Sequence, residues 1–273
     1  MGKQRIDIWL VEAGHFASRE QAQRAIMAGE VTVDGKRVEK ASQLMTEPRE
    51  VTLANSGPQF VSRGAHKLEK AIFVFKVELK DRICLDAGAS TGGFTDYMLQ
   101  SGAKKVYAID VGYGQLAWKL RQDPRVLVFE RQNIRHFDAK NLNENPTLIT
   151  ADLSFISLKI VFSKFKELID SSGELITLIK PQFEAGRENV GKKGVVRDKK
   201  VHLEVIQKLI EFAPDSGWFL ANLTFSPLLG PEGNIEYLGY WKQQPESGID
   251  LTNKTESVVN DAWESLKDSS ESK

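Results

Sequence analysis

Lys180, in the stretch LIKPQF, stands where a lysine could do chemistry. It closes the run Leu175, Ile176, Thr177, Leu178 and Ile179, which is short, branched and apolar and reads as a strand buried on both faces; Pro181 ends its ladder. The carboxyl edge of such strands is where open α/β sheets bind ligands. By position alone, Lys180 is as readily a side chain that snorkels to solvent. The stretch LDAGASTGGF, residues 85–94, joins another such strand to a helix, and Gly88, Gly92 and Gly93 allow close backbone approach. It is neither the G-x-G-x-x-G dinucleotide fingerprint nor a phosphate-cradling G-K-[ST] loop, which argues against nucleotide triphosphate chemistry. Asp86 before these glycines and Asp110 at the end of the following strand suit a ligand with a cationic amino-acid end and a ribose. S-adenosylmethionine fits that description. A tight turn with no ligand accounts for the glycines but not for both acids.

With a methyl donor, the acceptor is read from the other strand ends. Methylation of an exocyclic base amine typically uses an N/D-P-P-Y/F run, and the corresponding place here reads ADLSF. Methylation at pyrimidine carbon needs a cysteine nucleophile, and the single cysteine, Cys84, falls inside a strand. An oxygen acceptor activated by a general base remains. Lysine serves as a base where burial or a second ammonium lowers its pKa, so Lys180 is the candidate, with Asp152 of ADLSF on the neighbouring strand to orient it. His15 and His66 show no zinc spacing, and no metal site is expected.

These residues need strand ends brought side by side. From about residue 61, strand patterns (RICLDAG, KVYAID, VLVFE, TLITADL, ELITLIK) alternate with helical ones near 93, 113–121, 157–169 and 199–213. That predicts an α/β, Rossmann-like, doubly wound and mostly parallel sheet, with WFLANLTFSP and NIEYLGYW as an antiparallel edge. A small α+β domain precedes it: a helix over 5–14, a second begun by Ser18 with Gln21 three residues on, and a hairpin around Asp34-Gly35. The expected division is 1–54, a linker at 55–60, a main domain at 61–242, and a polar acidic tail at 243–273 with an amphipathic helix over 255–267. The loop EAGRENVGKKGVVRD is long and basic, as functional loops often are.

The 37 Lys and Arg balance 37 Asp and Glu. The tail carries −4, so residues 1–242 carry +4, a lean toward polyanions. One cysteine excludes an internal disulfide and fits a reducing cytoplasm, and no apolar stretch reaches the roughly 18 residues of a membrane span.

Taken together, SRGAHKL, LDAGASTGGFTD, ADLSFISL, LIKPQFE, GVVRD and GPEGNIEYL resemble the TlyA family over residues 3–242. These are the hemolysin-A-like ribosomal RNA 2'-O-methyltransferases, with an FtsJ-like catalytic domain behind an RNA-binding module of the ribosomal-protein-S-four type. The resemblance implies a catalytic tetrad of Lys67, Asp152, Lys180 and Glu236. In it Lys180 takes or relays the 2'-hydroxyl proton, Asp152 and Glu236 hold the lysines, and Lys67 stabilises developing negative charge. Without the motif, Lys67 is one charge on a solvated helix face and Glu236 an edge-strand surface charge. The S-adenosylmethionine site it implies comprises Asp86, Gly88, Ser90, Thr91, Gly92, Gly93, Phe94, Asp110, Val111 and Asn133. By analogy Arg5, Arg19, Arg24, Lys36 and Arg37 touch RNA, joined by Arg187, Lys192 and Lys193 of the long loop. Residues 1–58 hold eight basic and eight acidic side chains, so only clustering on one face gives a basic patch there. The expected function is methylation of a ribose 2'-hydroxyl, at cytidine, in 16S ribosomal RNA, 23S ribosomal RNA or both. The alternatives are an RNA-binding ribosome-assembly factor with an inactive methyltransferase fold, and a membrane-lytic hemolysin.

Overall fold

The structure is a computed structural model that describes residues 4–16, 18–27, 29–45, 50–53, 60–248 and 250–267. The chain divides into two compact units, Met1–Gln59 and Phe60–Lys273. The expected linker at 55–60 lies, save for Phe60, outside the described residues.

In the first unit, β1 (Gln4–Arg5) leads into α1 (Ile6–Glu12), followed by α2 (Arg19–Met27), β2 (Val31–Val33), β3 (Lys36–Arg37), β4 (Leu44–Met45) and β5 (Val51–Leu53). Ser18 Oγ accepts from Gln21 N at 3.3 Å, which caps α2 as the sequence suggests. Asp34 and Gly35 both have positive φ, 47° and 75°, the turn that matches the twist of a two-residue hairpin. Periodicity alone misses β1, β4 and β5, whose two- and three-residue lengths carry no pattern. Ile6, Leu10, Ala22, Ile26, Val31 and Val33 fill the core of this unit.

The second unit runs α3 (Ala65–Phe75), β6 (Ile83–Ala87), α4 (Gly93–Gln100), β7 (Lys105–Ile109), α5 (Trp118–Arg121), β8 (Val126–Phe129), β9 (Leu148–Ala151), α6 (Leu158–Leu168), β10 (Glu174–Ile179), α7 (Pro181–Glu184), α8 (Lys199–Phe212), β11 (Phe219–Phe225), β12 (Tyr237–Lys242) and α9 (Leu251–Lys267). Its seven strands are ordered β11-β12-β10-β9-β6-β7-β8. The five from β10 to β8 are parallel, and β12 and β11 run antiparallel at one edge. The β6 strand lies between β9 and β7, so chain order reverses there and opens a crevice beyond the carboxyl ends.

Strands buried on both faces divide their side chains between two cores. Leu85 and Ala87 of β6 join one core with Phe162, Phe165, Val205 and Leu209 of α6 and α8. Cys84 joins the other, with Leu68, Phe94 and Met98 of α3 and α4. The tail helix α9 begins at Leu251 and buries Val258, Val259, Ala262, Trp263 and Leu266 in the first of these cores. Among the described residues no helix is long and apolar enough to cross a membrane.

Two local expectations change. The helix expected over 113–121 is confined to Trp118–Arg121. Ahead of it Gly114 takes φ 71° and donates its N–H to Glu130 Oε1 at 2.7 Å, so the backbone leaves helical space. Pro181 ends the β10 ladder but also starts α7 at its first position, where its missing N–H costs nothing.

Candidate active site

Three adjacent strands deliver three of the implied catalytic residues to one edge. Asp152 follows β9, Lys180 follows β10, and Glu236 precedes β12, whose Tyr237 pairs with Ile179. The antiparallel turn of β12 is what puts its first residue beside the last of β10. Lys67 enters from the first turn of α3. All four side chains meet. Lys67 Nζ donates to Glu236 Oε2 at 2.6 Å and lies 3.9 Å from Asp152 Oδ2. Lys180 Nζ lies 2.7 Å from Asp152 Oδ1, close but without the alignment of a hydrogen bond, and directs its bond to Ser154 Oγ at 3.1 Å.

Burial sharpens these contacts. Lys67 and Lys180 are each 9% exposed and Glu236 1%, so each ammonium needs its carboxylate to offset lost hydration. Glu236 Oε1 has no partner among the described residues. A Cβ on Gly230 would sit 2.7 Å from it, so the glycine makes room for that oxygen. Asp152, with its side chain 24% exposed, is the member with a way out to water.

Beside the tetrad a groove of about 1150 Å³ follows the strand ends, lined among others by Gly88, Ser90, Asp110, Val111, Asn133 and Asp152. Asp110 is fixed by two backbone amides, Ser90 N to Oδ2 at 2.8 Å and Gly112 N to Oδ1 at 2.6 Å. Asp110 lines the groove, and its remaining lone pairs can accept from a pair of hydroxyls. Val111 and Ile134 offer apolar surface for a planar base. The residues therefore fit the nucleoside part of a donor such as S-adenosylmethionine.

Other residues expected at the donor site lie elsewhere. Asp86 is wholly buried, and its Oδ2 accepts from Thr95 N at 3.0 Å and Thr95 Oγ1 at 2.7 Å, tying down the start of α4. Burial, reinforced by the Asp152 and Asp110 charges, pushes its carboxyl up to about 7. Thr91, Gly92, Gly93 and Phe94 do not line the groove. Both glycines are closely packed: a Cβ would lie 2.3 Å from Leu120 at Gly92 and 2.4 Å from Ser62 at Gly93. Gly88 does stand at the groove, where a Cβ would come within 2.6 Å of the Asp152 carbonyl. Cys84 is buried within β6, and burial pushes its thiol up to about 12, so it offers no thiolate.

Sequence reading misses Ser154, Phe155 and Phe183. Phe155 takes φ 63°, is 91% exposed, and lies 5.2 Å centroid to centroid from Phe183, both on the groove. A bulky residue in left-handed backbone is unusual and costs roughly 1 kcal/mol or more. An exposed ring held that way can stack a base. The aromatic in ADLSF carries no sign of its backbone conformation.

Of the expected RNA contacts, Arg187 lines the groove and Lys192 and Lys193 are exposed on their loop. In the first unit Arg24, Lys36 and Arg37 are exposed, whereas Arg5 and Arg19 both bond the buried Asp7.

Residues 60–243 match the FtsJ-like methyltransferase family and residues 4–47 the S4 domain. The chain is 45% identical over 270 residues to YqxC of Bacillus subtilis, covering 97% of this chain and 96% of that one. It is 41% identical over 246 residues to the 16S/23S rRNA (cytidine-2'-O)-methyltransferase TlyA of Mycobacterium tuberculosis, covering 90% and 92%. A solved structure from Streptococcus thermophilus superposes with a TM-score of 0.76 at 41% identity over 99% of both chains.

Proposed function

The chain belongs to the TlyA family of FtsJ-like methyltransferases, and from that premise we propose that it methylates the 2'-hydroxyl of a cytidine ribose in ribosomal RNA, using S-adenosylmethionine. The convergence of Lys67, Asp152, Lys180 and Glu236 beside the Asp110 groove carries this reading. When bound, the donor supplies an electrophilic methyl group. Asp110 would take its ribose hydroxyls, with Val111, Ile134 and Asn133 around the base.

Lys180 receives the proton of the ribose hydroxyl. An ammonium cannot accept one, so Lys180 passes a proton to the Asp152 carboxylate as it takes the other, once its Nζ, 2.7 Å from Oδ1, turns into line with that oxygen. Oδ1 is itself buried, so the proton leaves for water as the partly exposed Asp152 carboxyl turns outward. Lys67, held by Glu236, keeps a fixed positive charge near the oxygen as negative charge develops there. Phe155 gives the target base a surface to stack on once it has left its own stack.

Residues 1–54 act as the RNA-binding module and 61–242 as the catalytic domain, with Arg24, Lys36, Arg37, Lys192 and Lys193 on phosphates. A ribosomal substrate places the enzyme in the cytoplasm. The test is to incubate ribosomal subunits with labelled S-adenosylmethionine and map the product. Label on a cytidine 2'-oxygen is expected; label on bases only, or donor binding with no transfer, overturns the reading.

A further inference from the structure

The turn from Asp152 to Ser157 carries two of the three site residues that sequence reading misses, Ser154 and Phe155, and its own residues do little to hold it. Phe155 is in left-handed backbone and almost fully exposed. Ser157 N-caps α6, its Oγ accepting from Lys159 N at 3.2 Å. In a capping box the third helical residue is Glu or Gln and completes the cap locally. Here that position is Ile160, which lines the groove. The missing carboxylate comes from another segment. Glu184 Oε2 accepts from Ser157 Oγ at 2.6 Å and Oε1 from Leu158 N at 2.8 Å, satisfying an amide at a helix start that favours negative charge.

Glu184 ends the short helix that begins just after Lys180. Residues 180, 183 and 184 thus meet the turn at three points: Lys180 on Ser154, Phe183 on Phe155, and Glu184 on Ser157 and Leu158. Of these, only the last fixes backbone, since the other two join side-chain tips. We propose that Glu184 is a positioning residue: it clamps the Asp152–Ser157 turn to the Lys180 strand end, and so sets the Ser154–Lys180 contact and the Phe155 ring. Its effect on turnover rests on the methyl-transfer reading above; its effect on the turn does not.

Two arms of one experiment separate these. In the first, Glu184→Ala and Glu184→Gln are made in the full chain and assayed on ribosomal subunits. Misplacing reacting groups by about an ångström can cost up to about 100-fold, so kcat should fall by roughly 10- to 100-fold for Ala and less for Gln, which keeps one acceptor. In the second, Phe155→Cys carries a nitroxide label, which Cys84 does not take up because it is buried. The label's electron-paramagnetic-resonance spectrum should report a more mobile turn in the Glu184→Ala background, with unchanged far-ultraviolet circular dichroism. If Ala fails to fold, Gln carries both arms. An unchanged spectrum, or a freed turn with wild-type kcat, overturns the proposal. Loss of transfer in the wild type itself overturns the methyl-transfer reading instead, and the spectrum then still decides the clamp.

Discussion

Lys67 and Glu236 lie 169 positions apart in the chain and 2.6 Å apart in the fold. Each is nearly shut off from water, so neither charge is tolerable without the other. Glu236→Gln leaves Lys67 with Asp152, 3.9 Å away, as its remaining carboxylate. Breaking such a pair should lower unfolding free energy by about 3 kcal/mol, measured by urea titration, and reduce turnover further. A stability change within experimental error would show that the pair is solvated.

Gly230 has ordinary negative φ, yet nothing larger fits, because a Cβ would press on Glu236 Oε1 at 2.7 Å. Gly230→Ala should therefore reduce methyl transfer by displacing Glu236 from Lys67, while calorimetry shows S-adenosylmethionine affinity within about twofold of wild type. Equal losses of donor binding and transfer would place the glycine's role at the groove.

Phe155 contributes little to stability where it stands, because its ring is mostly in water. Phe155→Ala should leave unfolding free energy within about 0.5 kcal/mol, as surface changes usually do. Loss of one stacked base is worth about 1–3 kcal/mol, so catalytic efficiency on ribosomal subunits should fall by about 5- to 150-fold, with Phe155→Trp restoring most of it. Equal efficiency in the Ala variant would remove the stacking role.

These residues mark where sequence reading stops. Lys180 at a strand end and the Asp34-Gly35 turn are legible because apolar runs and positive-φ dipeptides are local signals. The doubly wound sheet follows from alternation. Lys67 and Glu236 are not legible by pattern, since a charge on a helix and another before an edge strand look solvated until the topology buries them together. Asp86 looks like a ligand-facing acid but points inward to Thr95. The backbone of Phe155 depends on Glu184, 29 positions later, and leaves no local trace.

Asp86 gives a pH dependence with a definite sign. Its carboxyl is raised to about 7 in the folded chain and titrates near 3.9 unfolded. Between these values the folded state holds a proton that the unfolded state has lost. Stability is therefore full below about pH 4, declines as pH rises toward 7, and is flat above that with respect to this group. Asp86→Asn mimics the protonated form and can still accept from Thr95. Its melting temperature should exceed wild type by much more at pH 8 than at pH 4.5; parallel curves would show that Asp86 is ionised throughout.

Asp7 sets two charge arguments against each other. Its buried carboxylate accepts from Arg5 Nε at 3.0 Å and Nη2 at 2.9 Å, from Arg19 Nε at 2.9 Å and from Gln23 Nε2 at 2.7 Å. The Arg5 bond foremost holds it well below the usual carboxylate range, so the stability it gives is present above about pH 4 and lost as pH falls. Arg19 bonds Asp7 through Nε, and an arginine held in that way would meet a phosphate already oriented. If net charge alone governed RNA affinity, Asp7→Asn would bind more tightly, because it removes an acid from the unit. If orientation governs, the freed arginines must be ordered again on binding and affinity drops. We expect several-fold weaker binding of the Asp7→Asn chain to ribosomal subunits at 150 mM salt, with a shallower salt dependence as phosphate contacts are lost. Tighter binding with a steeper dependence would show that Asp7 only neutralises the arginines it holds.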